Sequence, residues 1–322
     1  MQIKHDPLFA EDVLQGLGAE HKHLSSRFFY DIEGDHLFQA IMASPEYYLT
    51  DCEHEIFAEQ GRQIAESLAA SGPFELSELG SGDGLKTQLL LDALYSINAE
   101  FTYRPIDISA NSLELLSERL TQGRPWLKID AIHGDYMHVL AARRLQNPLA
   151  DGPRQVIMFL GSNLGNFLHQ NALNFLRLIR GTMRLGDALL IGLDLHKDPA
   201  VIRAAYNDAG GHTRDFNLNL LHRINRELGG DFDLDAFEHA PEYDAATGAA
   251  RSFLKSMRSQ TVHIAALDRD FHFDAGEKIF MEISQKYSRQ LIEELAADAD
   301  FHIGREYVDS RHYFTDQIWW AG

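Results

Sequence analysis

The stretch Phe74-Glu75-Leu76-Ser77-Glu78-Leu79-Gly80-Ser81-Gly82-Asp83-Gly84-Leu85-Lys86 decides how the rest of the chain is read. Its first half has the apolar alternation of a strand and runs into glycines at 80, 82 and 84. Lys86–Leu94 then places apolar residues at helical spacing. Strand, glycine-rich turn and helix bring backbone N–H groups close to a bound cofactor. Glycine is needed there because a Cβ would block close approach, and at least one position is expected at positive φ.

The spacing also selects between cofactors. A dinucleotide-binding turn reads G-x-G-x-x-G, its third glycine serving helix–strand packing. Here the third glycine comes one position early, giving E-x-G-x-G-x-G from Glu78 to Gly84. That pattern resembles the first motif of the class I S-adenosylmethionine-dependent methyltransferases, in which the loop holds the amino-acid end of the cofactor. The same spacing disfavours a nicotinamide oxidoreductase.

A chain of 322 residues exceeds one typical core, so one large domain or two intertwined ones are expected. The formal net charge of −19 argues against nucleic acid or an anionic membrane as partner. The single cysteine, Cys52, excludes an intramolecular disulfide and fits a reducing compartment. MQIKHDPLFAEDVLQGL has no apolar stretch of signal-peptide type, so the expected setting is cytoplasmic.

In chain order, residues 1–25 contain a short amphipathic helix, and Asp35 is available to cap a second around Leu37–Ile41. Ser44–Asp51 reads as a proline-marked turn carrying Tyr47 and Tyr48, followed by a helix over Glu53–Ala70. After the glycine turn, Phe101–Ser109 reads as a second strand. Its Asp107 stands where a Rossmann-like domain places the carboxylate that binds ribose hydroxyls. Ser109 or Asn111 can cap the helix that follows. Leu127–His133 is the expected third strand, leading to Gly134-Asp135-Tyr136. Val156–Leu160 is a continuous apolar run of doubly buried type, ending in Gly161-Ser162-Asn163-Leu164-Gly165-Asn166. A helix over Ala172–Met183 and a strand over Ala188–Leu193 follow. Residues 199–228 are helical by spacing, and four period-2 segments between 253 and 284 predict an antiparallel sheet. The helix Ser288–Ala297 and strands Phe301–Val308 and Tyr313–Trp320 return to the α/β pattern.

RFFYD (27–31), SPEYY (44–48), ELGSGDGLKT (78–87), PIDIS (105–109), GDY (134–136), FLGSNLGN (159–166), AYNDAGG (205–211), NRELGGDFDLDAFEH (225–239) and GEKIFMEISQKY (276–287) occur in that order. Together they resemble the histidine-specific Nα-methyltransferases of ergothioneine biosynthesis, which convert histidine to its trimethyl betaine, hercynine. The resemblance implies an α/β fold: a Rossmann-like class I methyltransferase domain with a second, α+β substrate-binding domain built from the N-terminus and an insert. The expected boundaries are 56–195 with 287–322 for the first, and 1–55 with 196–286 for the second. It implies S-adenosylmethionine as cofactor, held by Gly80, Gly82, Gly84, Lys86, Asp107, Asp135 and Tyr136, with Asp135 on the adenine amino group. It implies L-histidine as substrate, bound by Tyr47, Asn166, Tyr206, Glu282 and Ser284, with Tyr30 close to the amine. Leu49 replaces the proline usual after the tyrosine pair, and Asn163-Leu164 the usual Thr-Ile; neither change removes a polar ligand.

The chemistry asked of these residues is modest. A nitrogen attacking a sulfonium methyl needs a free lone pair in line with it, and orientation in a dry site can supply ~7–11 kcal/mol. An α-ammonium of pKa ~8–9 loses its proton at small cost, so a strong base is optional. Water or a tyrosine oxygen suffices, and the resemblance, which sets Tyr30 close to the amine and Tyr47 at the substrate, makes these two the catalytic candidates. Asn166 and Tyr206 offer neutral donors for a carboxylate. In Met281-Glu282-Ile283-Ser284, strand alternation puts Glu282 and Ser284 on one face, able to hold both imidazole nitrogens. Spacing alone favours a solvated edge-strand face for them; the resemblance favours the pocket. His263, His272, His302 and His312 make no metal triad, Trp319 and Trp320 read as packing, and a monomer is expected. A relative acting on tyrosine or tryptophan, or a non-catalytic cofactor-binding module, remain the alternatives.

Overall fold

Ala188-Leu-Leu-Ile-Gly-Leu-Asp194 is buried along its whole length, as a strand covered on both faces must be. The computed structural model containing it describes residues 6–82, 84–145 and 153–322, so Asp83 of the glycine turn lies outside the described residues. Three helices come first, α1 (Pro7–Gly18), α2 (Ile32–Met42) and α3 (Tyr48–Ala69). Strands and helices then alternate: β1 (Phe74–Leu79), α4 (Thr87–Ser96), β2 (Phe101–Asp107), α5 (Ala110–Gly123), β3 (Ile132–His133), α6 (Tyr136–Leu145), β4 (Arg154–Phe159), α7 (His169–Arg180) and β5 (Ala188–Asp194). Next come α8 (Pro199–Ala205), α9 (His212–Leu228), β6 (Phe237–His239), β7 (Glu242–Asp244), β8 (Ala249–Ser256), β9 (Gln260–Ile264), β10 (Arg269–Phe273) and β11 (Lys278–Gln285). The chain closes with α10 (Arg289–Asp298), β12 (Phe301–Val308) and β13 (Phe314–Ala321). Among the described residues no helix is long and apolar enough to cross a membrane.

The chain divides into two compact units. The sheet unit comprises Leu49–His196 and Gln285–Gly322, and the insert unit comprises the residues up to Tyr48 with Lys197–Ser284. In the sheet unit seven strands run in the order β12-β13-β5-β4-β1-β2-β3. β1 pairs parallel with both β2 and β4, in register Leu76↔Tyr103 and Leu76↔Val156, while β13 runs antiparallel to β5 and β12. Strand order therefore reverses between β1 and β4, the place where open α/β sheets bind ligands beyond their strand ends. Amphipathic α7 covers one face with Leu173, Phe175, Leu176 and Ile179, packed with Ile157, Phe159 and Ile191 of the strands. Trp319 is buried in this core, as its position predicted.

The insert unit surrounds its own core, in which Phe9, Val13 and Leu17 of α1 join Phe216, Leu220 and Ile224 of α9 and Ile279 and Met281 of β11. The structure corrects several sequence readings here. The period-2 segments form two sheets rather than one, an antiparallel β9–β10 hairpin and a sheet ordered β11-β8-β6 with β7 also on β8. The 199–228 stretch is two helices, because the Asp208 carboxylate accepts the N–H groups of His212 and Thr213, both at 2.8 Å, and so starts α9 afresh. Asp31, not Asp35, caps α2: its Oδ1 accepts the Gly34 N–H at 2.8 Å.

Two readings in the sheet unit also change. α3 starts at Tyr48 rather than at 53, so the unit boundary falls at 48/49 where the sequence reading drew 55/56. Of the expected Leu127–His133 strand only Ile132–His133 forms, with a single bridge from Ile129 to Tyr103. This is the sheet's outer edge, where Asp130 is drawn into an ion pair with Arg104, and edge strands are kept short.

One buried ion pair closes the base of the insert within the sheet unit. Lys286 Nζ lies 2.7 Å from Asp194 Oδ2, and both side chains are 0% exposed. Removing one member of such a pair leaves a buried charge without its partner, which costs about 3–5 kcal/mol. Lys286→Met is therefore expected to lose stability on that scale in urea unfolding, far beyond a surface lysine substitution.

Candidate functional site

Beyond Leu79 the backbone turns through Gly80, Gly82 and Gly84 at φ of 71°, 51° and 60°. All three positions use the left-handed region that glycine enters without a Cβ penalty, where the sequence demanded at least one. A Cβ at Gly80 or Gly82 would meet no atom within 4 Å, whereas one at Gly84 would lie 2.5 Å from Leu116 Cδ1 of α5. The first two glycines keep the outer side of the turn open to a ligand; the third lets the turn pack on α5. Asp107, ending β2, accepts the N–H of Gly82 at 3.3 Å and of Ser109 at 3.0 Å, and Ser109 caps α5. The Gly134 N–H donates to the Asp107 carbonyl at 2.9 Å, which sets the loop after β3 beside the loop after β2. There Asp135 accepts the Met137 N–H at 2.8 Å. The Tyr136 ring packs with its centroid 5.9 Å from Phe159 and 5.7 Å from Phe175. The glycines, Asp107, Asp135 and Tyr136 thus stand at the ends of three neighbouring strands.

Glu78, the acidic member of the glycine motif, turns inward. It accepts hydrogen bonds from Thr87 Oγ1 at 2.7 Å and from the Tyr103 hydroxyl, bracing the turn against α4 and β2. Burial pushes its carboxyl up to about 7, against the hydrogen bonds from Tyr103 and Thr87 that hold it down. Lys86, at the entry to α4, pairs with Glu53 of α3. The loop after β4 is also constrained: Gly161 has φ 73°, and Ser162 holds φ 55° although it carries a side chain. Ser162 Oγ accepts the Asp194 N–H at 3.0 Å. A Cβ at Gly165 would lie 2.9 Å from the Gln285 carbonyl oxygen, so this glycine is needed for a backbone crossing. Asn166 ends the loop with its side chain exposed.

The insert unit gathers a separate polar cluster. Glu282 Oε1 of β11 accepts from Ser252 Oγ of β8 at 3.2 Å and, at the outer limit, from Asn217 Nδ2 of α9 at 3.5 Å. Tyr206, just after α8, donates its hydroxyl to Ser284 Oγ at 2.7 Å. Asn217 is wholly buried and also donates to the Thr213 carbonyl at 2.9 Å. Tyr30, Phe38, Tyr47 and Phe216 form an aromatic group in the same unit. The Phe38 centroid lies 5.6 Å from Tyr30, 6.4 Å from Tyr47 and 5.8 Å from Phe216, and Phe216 adjoins Asn217 in α9.

The sequence candidates therefore fall into two sets. Gly80, Gly82, Gly84, Lys86, Asp107, Asp135, Tyr136 and Asn166 belong to the sheet unit, and Tyr30, Tyr47, Tyr206, Glu282 and Ser284 to the insert unit. Glu53, Asn217 and Ser252 escaped the sequence reading. Asn217 left a signal, as a polar residue at a core-facing position of α9 between buried Phe216 and Leu220.

The model of a family described as histidine-specific methyltransferase, SAM-dependent, matches residues 9–321. The chain is 37% identical over 298 residues to a histidine N-alpha-methyltransferase of Mycobacterium tuberculosis, covering 92% of this chain and 90% of that protein. A histidine N-alpha-methyltransferase of Mycolicibacterium smegmatis is 36% identical over 95% of this chain and 90% of its own length. Ergothioneine biosynthesis protein 1 of Schizosaccharomyces pombe is 29% identical over 88% of this chain, which spans 37% of that protein.

The raised Glu78 carboxyl has a measurable consequence. A group whose folded pKa exceeds its unfolded value of 4.5 favours the fold below that value, and the contribution is lost as pH rises through about 7. Glu78→Gln removes the titration and keeps an acceptor. Between these limits the wild type is expected to lose up to roughly 3 kcal/mol more unfolding free energy than Glu78→Gln. Parallel slopes in pH-dependent urea unfolding would contradict this origin.

Proposed function

The chain belongs to the histidine-specific, S-adenosylmethionine-dependent methyltransferase family, and from that premise we propose that it trimethylates the α-amino nitrogen of L-histidine to hercynine, the first step of ergothioneine biosynthesis. The observation that carries the substrate is the Glu282 cluster. A carboxylate held by Ser252 and Asn217 stands two residues from a serine hydroxyl that receives the Tyr206 proton. An acceptor and a hydroxyl on one strand suit a ring with one N–H and one bare nitrogen. The Tyr206 hydroxyl has one proton, and that proton is committed to Ser284 Oγ. Tyr206 then serves the ring end of the substrate, and Asn166 is the donor for its carboxylate. A ligand without ring nitrogens would leave Glu282 desolvated and unpaired, the kind of penalty that gives strong rejection.

The glycine turn fits the family's cofactor. Its two open glycines admit close backbone approach, Asp107 and Asp135 place carboxylates at successive strand ends, and Lys86 keeps 27% of its side-chain surface exposed. Bound S-adenosylmethionine supplies a methyl group on a positively charged sulfur. The chain's own part is orientation: Glu282 and Ser284 fix the ring, Asn166 the carboxylate, and the Tyr30 and Tyr47 oxygens are candidates to accept a hydrogen bond from the ammonium as its proton passes to water. We include in this reading a monomeric, cytoplasmic enzyme without a polyanionic partner, a choice supported by the net charge of −19.

Mass spectrometry of a reaction with L-histidine and S-adenosylmethionine should find the trimethylated product; its absence would sink the reading. Glu282→Ala is expected to lower kcat/KM for histidine by roughly two orders of magnitude or more. An enzyme for an amino acid without imidazole would scarcely notice that change. Ser252→Ala, which removes one hydrogen bond to the Glu282 carboxylate, is expected to raise KM for histidine about tenfold. Its affinity for S-adenosylhomocysteine, measured by calorimetry, should stay at the wild-type value.

A further inference from the structure

The glycine turn and the loop after β4 are joined by a carboxylate that neither motif contains. Glu53, on α3, is 1% exposed. Its Oε1 accepts the backbone N–H of Gly161 at 2.7 Å, and its Oε2 takes the Lys86 ammonium. Lys86 also borders the loop directly, since a Cβ on Gly161 would lie 3.4 Å from its Nζ. One side chain therefore joins the start of α4, just past the glycine turn, to the loop after β4, and β1 and β4 are the two strands between which the sheet order reverses.

A second carboxyl stands behind Glu53. Asp316 of β13 pairs in register with Gly192 of β5. A Cβ on Gly192 would lie 2.5 Å from Glu53 Oε1 and 3.1 Å from Asp316 Oδ1. The glycine thus makes room in a fully buried strand for two carboxyl groups at once, a use of strand glycine that close approach explains. Among the described residues neither oxygen of buried Asp316 receives an N–H or O–H from another group. Its polar neighbour is Glu53, and two carboxyls can hydrogen-bond only if one of them keeps its proton. Burial, reinforced by the Glu53 charge, holds the Asp316 carboxyl well above the usual carboxylate range, and Lys86 only partly opposes this. Burial alone would depress Lys86, but the Glu53 charge and hydrogen bond leave it above its ordinary value.

We propose that Glu53 is a positioning residue for the methyl donor: a carboxylate that Asp316 holds in place through a shared proton, and that fixes Lys86 and the Gly161 loop as one unit. The cluster then carries one cation and one anion, so its charges balance. With Asp316 neutral, Lys86 answers to a single protein carboxylate and retains attraction for an anionic group on a ligand. This inference rests on the reading of Lys86 as a cofactor-binding residue.

The test is calorimetric titration with S-adenosylhomocysteine in the absence of any amino acid, alongside melting curves. Glu53→Gln keeps an acceptor for Gly161 but turns an amide toward Lys86, and is expected to weaken binding on the order of tenfold or more. Glu53→Asp should recover part of that loss. Asp316→Asn, a neutral isostere able to donate to Glu53, should bind within about threefold of wild type, since it replaces one hydrogen-bonding group by another. A folded Glu53→Gln protein with wild-type affinity would overturn the positioning role, and a tenfold change in Asp316→Asn would overturn the shared proton. If Glu53→Gln does not fold, Glu53→Asp is combined with Lys86→Met: Glu53→Asp should weaken binding on its own and add nothing once Lys86 is removed. Additive losses would overturn the proposal. Wild-type protein that binds no S-adenosylhomocysteine would overturn this inference and the cofactor reading together, whereas failure to methylate histidine would leave the titration intact.

Discussion

The insert of 88 residues, Lys197–Ser284, leaves and re-enters the sheet unit at one clasp. On the outgoing side Asp194 closes β5; on the returning side Lys286 brings its ammonium to that carboxylate at 2.7 Å. Backbone bonds run alongside, from the Tyr287 N–H to the Asp194 carbonyl at 2.8 Å and from the His196 N–H to the Tyr287 carbonyl at 3.0 Å. The two chain ends of the insert are thus stitched together as a short parallel bridge before the chain continues into α10. Burying both charges is costly in itself, and well-packed apolar residues would serve stability as well. What an ion pair adds is a unique partner: no neighbouring apolar register satisfies Lys286. The Ser162 hydroxyl, bonded to the Asp194 N–H, extends the same fixation to the loop after β4.

Asp194, Glu78 and the Glu53–Asp316 pair, all buried acids of the sheet unit, are handled in three different ways, and the differences follow from what faces them. Asp194 has a cation and stays a salt bridge. Glu78 has two hydroxyl donors and no adjacent cation at bonding distance, so burial prevails and its carboxyl rises to about 7. Glu53 and Asp316 share one lysine, which is enough for one anion. The large negative formal charge of the chain says nothing about these groups, because it is a count over a mostly solvated surface. Local pairing decides each one.

The parts of the fold that sequence makes legible are those with a local period or a local steric demand. Glycines at 80, 82 and 84 announced a turn in the left-handed region, and the apolar runs at 156–160 and 188–193 announced doubly buried strands. The alternation in Met281–Ser284 puts Glu282 and Ser284 on one face, and the family resemblance is what marks that face as a pocket. What stayed hidden depends on partners remote in sequence: Glu53 meets Gly161 across 108 positions, and Ser252 meets Glu282 across 30. Neither contact has a spacing signature. The cap of α2 is not legible for a different reason. Asp31 and Asp35 are both acceptable caps, and the choice falls to the tight packing of Gly34, whose Cβ would lie 1.8 Å from the Phe29 carbonyl oxygen. Gly192 does leave a signal, since an isolated glycine in the apolar run of a buried strand marks a close approach.

The proposed function assigns recognition in the two units to different kinds of group, which is why one is legible from a single motif and the other is not. The glycine turn presents backbone N–H groups, whose placement is fixed by φ angles and by sheet register and is insensitive to most side-chain changes. Any chain that builds the turn keeps it. The insert presents side chains, and in the proposed function its selectivity comes down to Glu282, Ser284 and the groups bonded to them, Tyr206, Asn217 and Ser252. These are few, and each is tied to its neighbours by one or two hydrogen bonds worth about 1–3 kcal/mol apiece. Substrate choice can therefore drift by substitution at Ser252 or Glu282 without disturbing the fold or the glycine turn, because the insert has a core of its own. A change at Gly80 or Gly82 could not act so selectively: any other residue there would have to hold a positive φ while crowding the open side of the turn.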